Sequence, residues 1–135
     1  MYKPSGEVVK AQGRNQLANA FNPYQSDRKR VLCVCSAGLL RSTTIAYYLT
    51  TTFGYNVRNC GTTLEYALVP ISEALLAWAD EIHVVEEQRA YVEVALEKIG
   101  LDRKIFSLDI PDQYPAFDEE LLEIIHNFYG SEYTP

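Results

Sequence analysis

The chain has 135 residues, enough for one domain with a real core and too few for two. Hydrophobic residues make up 47% and charged residues 22%, a balance that fits a folded globular protein and excludes a disordered one. The net charge of −6 disfavours nucleic acid as a partner, because a phosphate backbone calls for a basic surface.

Residues 1–29 read as an N-terminal extension. Residues 1–13 contain no apolar stretch of the signal-peptide kind, and no later run approaches the ~20 apolar residues of a membrane span. The expected location is therefore cytoplasmic, with no membrane partner. Val8, Val9, Leu17, Ala18 and Phe21 allow a weak amphipathic helix before the turn-rich Asn22-Pro23 and Gln25-Ser26-Asp27. The basic cluster Arg28-Lys29-Arg30 leads into the first strand; residues 1–30 carry a charge of +4 against −10 for the remainder.

Residues 30–135 read as an α/β domain. Val31-Leu32-Cys33-Val34 is a continuous apolar run, the mark of a strand buried on both faces of a parallel sheet. A small-residue loop follows, then a helix over 42–53 on which Ile45, Ala46, Leu49 and Phe53 recur at helical spacing up to Gly54. A second strand is predicted over 55–60, a helix over 71–78 with Ser72 near its start, and a third strand over 81–85. A helix over 88–99 closes at Gly100, a residue suited to the C′ position. A fourth strand over 104–108, a loop rich in Asp and Pro, and a helix over 118–128 capped by Asp118 complete the pattern. Strands alternating with helices imply a doubly wound, four-stranded parallel sheet flanked by helices. Ligands bind such sheets at the carboxyl ends of the strands, which directs attention to the loop after the first strand.

That loop reads Cys35-Ser36-Ala37-Gly38-Leu39-Leu40-Arg41-Ser42, a C-x5-R-S motif between a buried strand and a helix N-terminus. The placement supplies unsatisfied N–H groups and the positive end of a helix dipole, which together favour a bound dianion. The same field favours Cys35 as a thiolate nucleophile. Gly38 permits a positive φ where the loop curls around an anion. Arg41 is placed to hold two phosphate oxygens with its guanidinium fork, and Ser42 to donate its hydroxyl to the sulfur. The phosphate-binding set is thus Ser36, Ala37, Gly38, Leu39, Leu40, Arg41 and Ser42, with Cys35 and Arg41 catalytic. Three cysteines fit no disulfide framework, and their spacing from His83 and His126 is not that of metal ligands.

Residues 31–42 resemble the active-site loop of the low-molecular-weight protein tyrosine phosphatases. The likeness covers about residues 30–128: Asn59-Cys60-Gly61-Thr62 resembles that family's second-strand ending, Ala79-Asp80-Glu81-Ile82 its approach to the third strand, and Ile110-Pro111-Asp112-Gln113-Tyr114 its Pro-Asp-Pro-Tyr acid loop. The resemblance implies a strand order of 2-1-3-4. It further implies a metal-free, cofactor-free phosphomonoester hydrolase acting through phosphocysteine on a phosphorylated protein or a small phosphomonoester. The sequence departs from the family at Gly38, where the family usually has Asn, at Leu40, where it often has a second Cys, and at residues 62–71, which are short compared with the family's substrate-side loop.

Asp109, Asp112 and Asp118 all follow the fourth strand. Asp112 is the expected general acid, since Pro111 and Tyr114 flank it in the family's order; Asp109 is second, and Asp118 reads better as a helix cap. Tyr114, with Tyr66, is a candidate aromatic wall for the substrate. Cys33, Trp78, His83 and His126 read as packing residues, and a reversible Cys35–Cys60 disulfide is a further expectation from position. Three other functions share parts of the motif. A phosphotransferase-type IIB phosphocysteine carrier matches Val34-Cys35-Ser36-Ala37-Gly38 but needs neither the Arg nor the late Asp. A thiol-linked arsenate reductase calls for further cysteines after the third strand, and none follows Cys60. A non-catalytic phosphate-binding module has no use for Cys, Arg and Asp together.

Overall fold

The apolar run from Val31 forms the centre of a four-stranded parallel sheet. The computed structural model describes residues 28–36, 40–63, 65, 67 and 69–135. The helix and turns expected within residues 1–27, together with Ala37, Gly38, Leu39 and Tyr66, lie outside the described residues. Strand β1 (Arg30–Cys35) pairs with β2 (Asn56–Gly61) on one side and β3 (Glu81–Val85) on the other, and β4 (Lys104–Leu108) completes the order β2-β1-β3-β4. This is the doubly wound arrangement and the 2-1-3-4 order expected from the sequence.

Helix α1 (Arg41–Phe53) follows β1, α2 (Glu73–Trp78) precedes β3, α3 (Arg89–Ile99) precedes β4, and α4 (Glu119–Ser131) is the last element. Because strand side chains alternate between faces, each strand feeds two cores. Val31, Cys33 and Cys35 pack with Ile45 and Leu49 of α1 and Leu121 and Ile125 of α4. Leu32 and Val34 pack with Leu75 and Leu76 of α2 and Val92 and Leu96 of α3 on the other face. Leu32, Ile45, Leu49 and Ile82 are fully buried, and such side chains each contribute about 1.5–3 kcal/mol by leaving water.

The helix ends follow local chemistry. The Ser72 hydroxyl accepts from Leu75 N–H at 3.3 Å, so α2 begins at Glu73 and Ile71 stays outside it. Gly100 terminates α3 at φ 69°. Asp118 caps α4, its carboxylate accepting from Glu120 N–H at 3.0 Å and Leu121 N–H at 3.3 Å. The helix runs on through Gly130 because Tyr129 and Tyr133 bury against the sheet beyond the expected end at residue 128. Strand β2 includes Gly61, whose N–H donates to Val69 O and whose carbonyl accepts from Ile71 N–H, both at 2.9 Å. No helix of the described residues is long and apolar enough to cross a membrane.

A polar network lies on the α1/α4 face of the sheet. His83 Nε2 is 2.9 Å from Glu81 Oε1, and its Nδ1 is 2.6 Å from the Tyr129 hydroxyl. Tyr133 donates to the same Glu81 oxygen at 2.6 Å, and Tyr55 is 2.9 Å from the Tyr133 hydroxyl. One proton arrangement satisfies every atom: Nε2–H donates to Glu81, Tyr129 donates to Nδ1, and Tyr55 donates to Tyr133. Burial lowers the His83 pKa in spite of its Glu81 partner. Burial would raise Glu81, but hydrogen bonds from His83 and Tyr133, with Lys29 nearby, lower it to about 2.

Candidate active site

Parallel pairing brings four strand ends to one edge. Cys35 is level with Gly61, and Val85 with Leu108, so the loop after β1, the 3₁₀ turn Glu86–Gln88 after β3 and the Asp-rich segment after β4 converge there. The backbone of β2 continues past its last strand pair: Thr62 N–H donates to Cys35 O at 3.0 Å and Thr63 N–H to Ser36 O at 2.9 Å. Both bonds fix the peptide units of Cys35 and Ser36 from the side.

Cys35 is 2% exposed, and its Sγ–H donates to the Ser42 Oγ at 3.2 Å, so the two residues meet as the motif predicts but with the thiol, not the hydroxyl, as the donor. Ser42 reaches it because α1 begins at Arg41, placing both residues in its first turn. No side chain caps this helix: Leu40 occupies the N-cap without a hydrogen-bond acceptor. The first-turn amides therefore face the loop without a competing side-chain oxygen at the cap.

Arg41 is 1% exposed yet carries a full charge, so its partners decide its position. Nη1 donates to Ile110 O at 2.9 Å and pairs with the Glu87 carboxylate. Nη2 donates to Ser36 Oγ at 3.3 Å and lies 3.7 Å from Asp112 Oδ2. The guanidinium thus ties together the loop after β1, the turn after β3 and the segment after β4. Of the three candidate acids, Asp112 is the one whose carboxylate approaches Arg41. Asp118 spends its carboxylate on the α4 cap, and Asp109 is exposed at the end of β4.

Glu87 is the site residue that sequence reasoning missed. It sits in Glu86-Glu87, which reads as a solvated charge pair; its one signal was position, directly after a strand aimed at the site. Beside it, the Thr62 hydroxyl donates to Gln88 Oε1 at 2.6 Å, joining the loop after β2 to the same turn.

Two expectations need correction. Tyr114 is only 8% exposed and packs in the core with Ile110, Leu121 and Ile125, so it presents little ring to a substrate. The exposed aromatic of that segment is Phe117, set edge-on to Tyr47 with 5.3 Å between ring centroids. The Cys35–Cys60 disulfide is excluded by the pleat. Cys60 is level with Val34 and packs with it on the α2/α3 face, whereas Cys35 packs on the α1/α4 face. Thiols directed to opposite faces of a sheet cannot be bridged without moving the backbone. Burial, with other thiols nearby, pushes the Cys33 and Cys60 thiols well up, as befits packing residues. Trp78 also packs as expected, with Arg58 over its ring at 4.6 Å. Among the described residues, no three His, Cys, Asp or Glu side chains are grouped as metal ligands.

No protein-family model, no curated protein and no solved structure matches the chain.

Proposed function

We propose that the protein is a phosphomonoester hydrolase, of the low-molecular-weight protein tyrosine phosphatase kind, that works through a phosphocysteine on Cys35. The observation that carries this reading is the convergence of Cys35, Ser42, Arg41 and Asp112 around one loop at the carboxyl edge of the sheet.

In the first step the Cys35 thiolate attacks phosphorus, an S–P bond forms and the ester P–O bond breaks. The Asp112 carboxyl protonates the leaving oxygen, while Arg41 and the loop amides hold the non-bridging oxygens. In the second step water attacks the phosphocysteine, Asp112 accepts its proton, and the S–P bond breaks to release phosphate and the thiolate. Ser42 stabilises that thiolate by donating its hydroxyl. The pairing of Arg41 with Asp112 favours hydrolysis over a phosphocysteine carrier, because a carrier needs neither group. With no cysteine after Cys60, an arsenate-reducing thiol relay has no second member on the later segments.

The substrate is a phosphorylated protein or a small phosphomonoester. Glu86, Glu87, Asp109 and Asp112 are exposed around the mouth, a rim of charge that disfavours polyanions such as nucleic acid. A cytoplasmic setting suits three cysteines that form no disulfide.

The test is hydrolysis of p-nitrophenyl phosphate by wild type and Cys35→Ser, without added metal, across pH 5 to 8. Turnover that disappears in Cys35→Ser supports the proposal. Undiminished turnover in the variant, or none in wild type, overturns it.

A further inference from the structure

Besides the Arg41 bond to Ile110 O, a buried hydroxyl fastens the segment that carries Asp112 to the first turn of α1. Thr44 is fully buried; its Oγ1 donates to Leu40 O at 2.8 Å and accepts from Phe117 N–H at 3.1 Å. Leu40 immediately precedes Arg41 in the phosphate loop, and Phe117 lies five positions after Asp112. One oxygen thus bonds both walls of the site at once.

The backbone at the far end of this contact is unusual. Asp118 N–H donates to Pro115 O at 3.3 Å, so residues 115–118 form a β-turn with Phe117 third. Phe117 has φ 62°, the only positive φ among the described non-glycine residues. A turn with positive φ at its third residue ordinarily takes glycine there. A bulky aromatic holds that conformation only where its surroundings over-determine it, and such residues gather at functional sites. Here the surroundings are the Thr44 hydroxyl on the Phe117 N–H and the Tyr47 ring against the Phe117 ring. Tyr47 and Thr44 belong to the same helix, whose first residue is Arg41.

We propose that Thr44 and Phe117 form a latch that couples the phosphate loop to the acid segment, so that anion binding at Cys35–Ser42 orders residues 109–118 and aligns Asp112. This rests on the reading of Cys35–Ser42 as a phosphate loop. Both latch residues are positioning residues: neither touches the phosphoryl group. The Leu40 carbonyl moves with the loop, the shared hydroxyl transmits that movement to the Phe117 N–H, and the strained turn relaxes when the bond is lost. Asp112 then departs from Arg41.

The test is amide hydrogen exchange over 109–118, with and without inorganic phosphate, in wild type, Thr44→Val and Thr44→Ser, beside phosphate titration by phosphorus NMR. In wild type, phosphate slows exchange across the segment. Thr44→Val loses most of that slowing and binds phosphate about fivefold more weakly, and Thr44→Ser, which keeps the hydroxyl, restores both. Thr44→Val also loses more kcat on phenyl phosphate than on p-nitrophenyl phosphate, since misplacing the acid harms the poorer leaving group. Wild type that binds phosphate with unchanged exchange at 109–118 overturns the coupling alone, whether or not Thr44→Val folds. Wild type that binds no phosphate overturns the phosphate-loop reading and the coupling with it. Equal loss in Thr44→Val and Thr44→Ser assigns Thr44 to packing and removes the latch.

Discussion

The Arg41 guanidinium and the Asp112 carboxylate, 71 positions apart in the chain, stand 3.7 Å from each other at the carboxyl edge of the sheet. Arg41 is buried and Asp112 is half exposed, so the proposed mechanism has the carboxyl swing between the guanidinium and the leaving group. Asp112→Ala is expected to remove most of kcat on phenyl phosphate, by about 10²-fold or more, and much less on p-nitrophenyl phosphate. Steady-state kinetics on the two esters checks this; equal loss on both removes Asp112 from the acid role.

Ser42 faces the sulfur directly. In the proposed mechanism its hydroxyl matters most when the thiolate leaves phosphorus, so Ser42→Ala should slow phosphocysteine breakdown more than its formation. A rapid-quench burst of p-nitrophenol, absent or small in wild type, is the expected signature. A proportional fall in both steps would place Ser42 in binding alone.

Glu87 pairs with Arg41, the guanidinium that the proposed function assigns to phosphate. Removing it deprives a buried guanidinium of a carboxylate, and it also removes a negative charge from beside the proposed anion site. Glu87→Ala is therefore expected to lower stability in phosphate-free buffer by about 1–3 kcal/mol, less than a fully buried pair because Glu87 is half exposed. The same variant should be stabilised by added phosphate more than wild type is. Thermal melts with and without phosphate decide it: a smaller phosphate shift means that Glu87 instead orients Arg41 for the anion.

The Glu81–His83 network sets the response to acid. The folded protein holds His83 neutral below its ordinary pKa, while the unfolded chain takes up that proton first. Glu81 stays ionised down to about 2 when folded but protonates near 4.5 when unfolded. In both cases the unfolded state binds more protons, so stability falls as the pH drops. The His83 part is lost on descending through about 6.5, and the Glu81 part progressively between 4.5 and about 2. Urea titrations at pH 7, 5 and 3.5 should show this decline. Glu81→Gln, compared with wild type, should be destabilised at pH 7 and flatter below pH 4.5.

Mild peroxide followed by intact-mass measurement should reveal no internal Cys35–Cys60 disulfide, because the two thiols belong to opposite faces of the sheet. Loss of two hydrogens from the chain, mapped to that pair, would contradict the register of β1 and β2.

Much of this protein is written in short-range chemistry. The unbroken apolar run of β1, the spacing of Ile45, Ala46, Leu49 and Phe53, the Ser72 and Asp118 caps and the Gly100 terminus all act within one or two turns of chain, so sequence alone determines them. The C-x5-R-S motif belongs with them, since the Cys35–Ser42 contact spans one loop. Strand alternation with helices then implied the parallel sheet, and with it the edge where a site should lie.

What only the tertiary structure decided depends on register and on which face a side chain takes. Glu87 meets Arg41 because β1 and β3 are neighbours; nothing in Glu86-Glu87 itself distinguishes the residue that turns inward. Tyr114 is buried with Leu121 and Ile125 of α4 while Phe117 lies exposed beside Tyr47 of α1, a difference set by packing and not by the aromatic character of either residue. Cys60 lies one strand from Cys35 yet on the other face, a consequence of a pairing register that no local signal records. Thr44 and His83 likewise acquire partners 73 and 46 residues away. Local propensity and capping are energies of neighbours in the chain, whereas these contacts exist only after the sheet has closed around them.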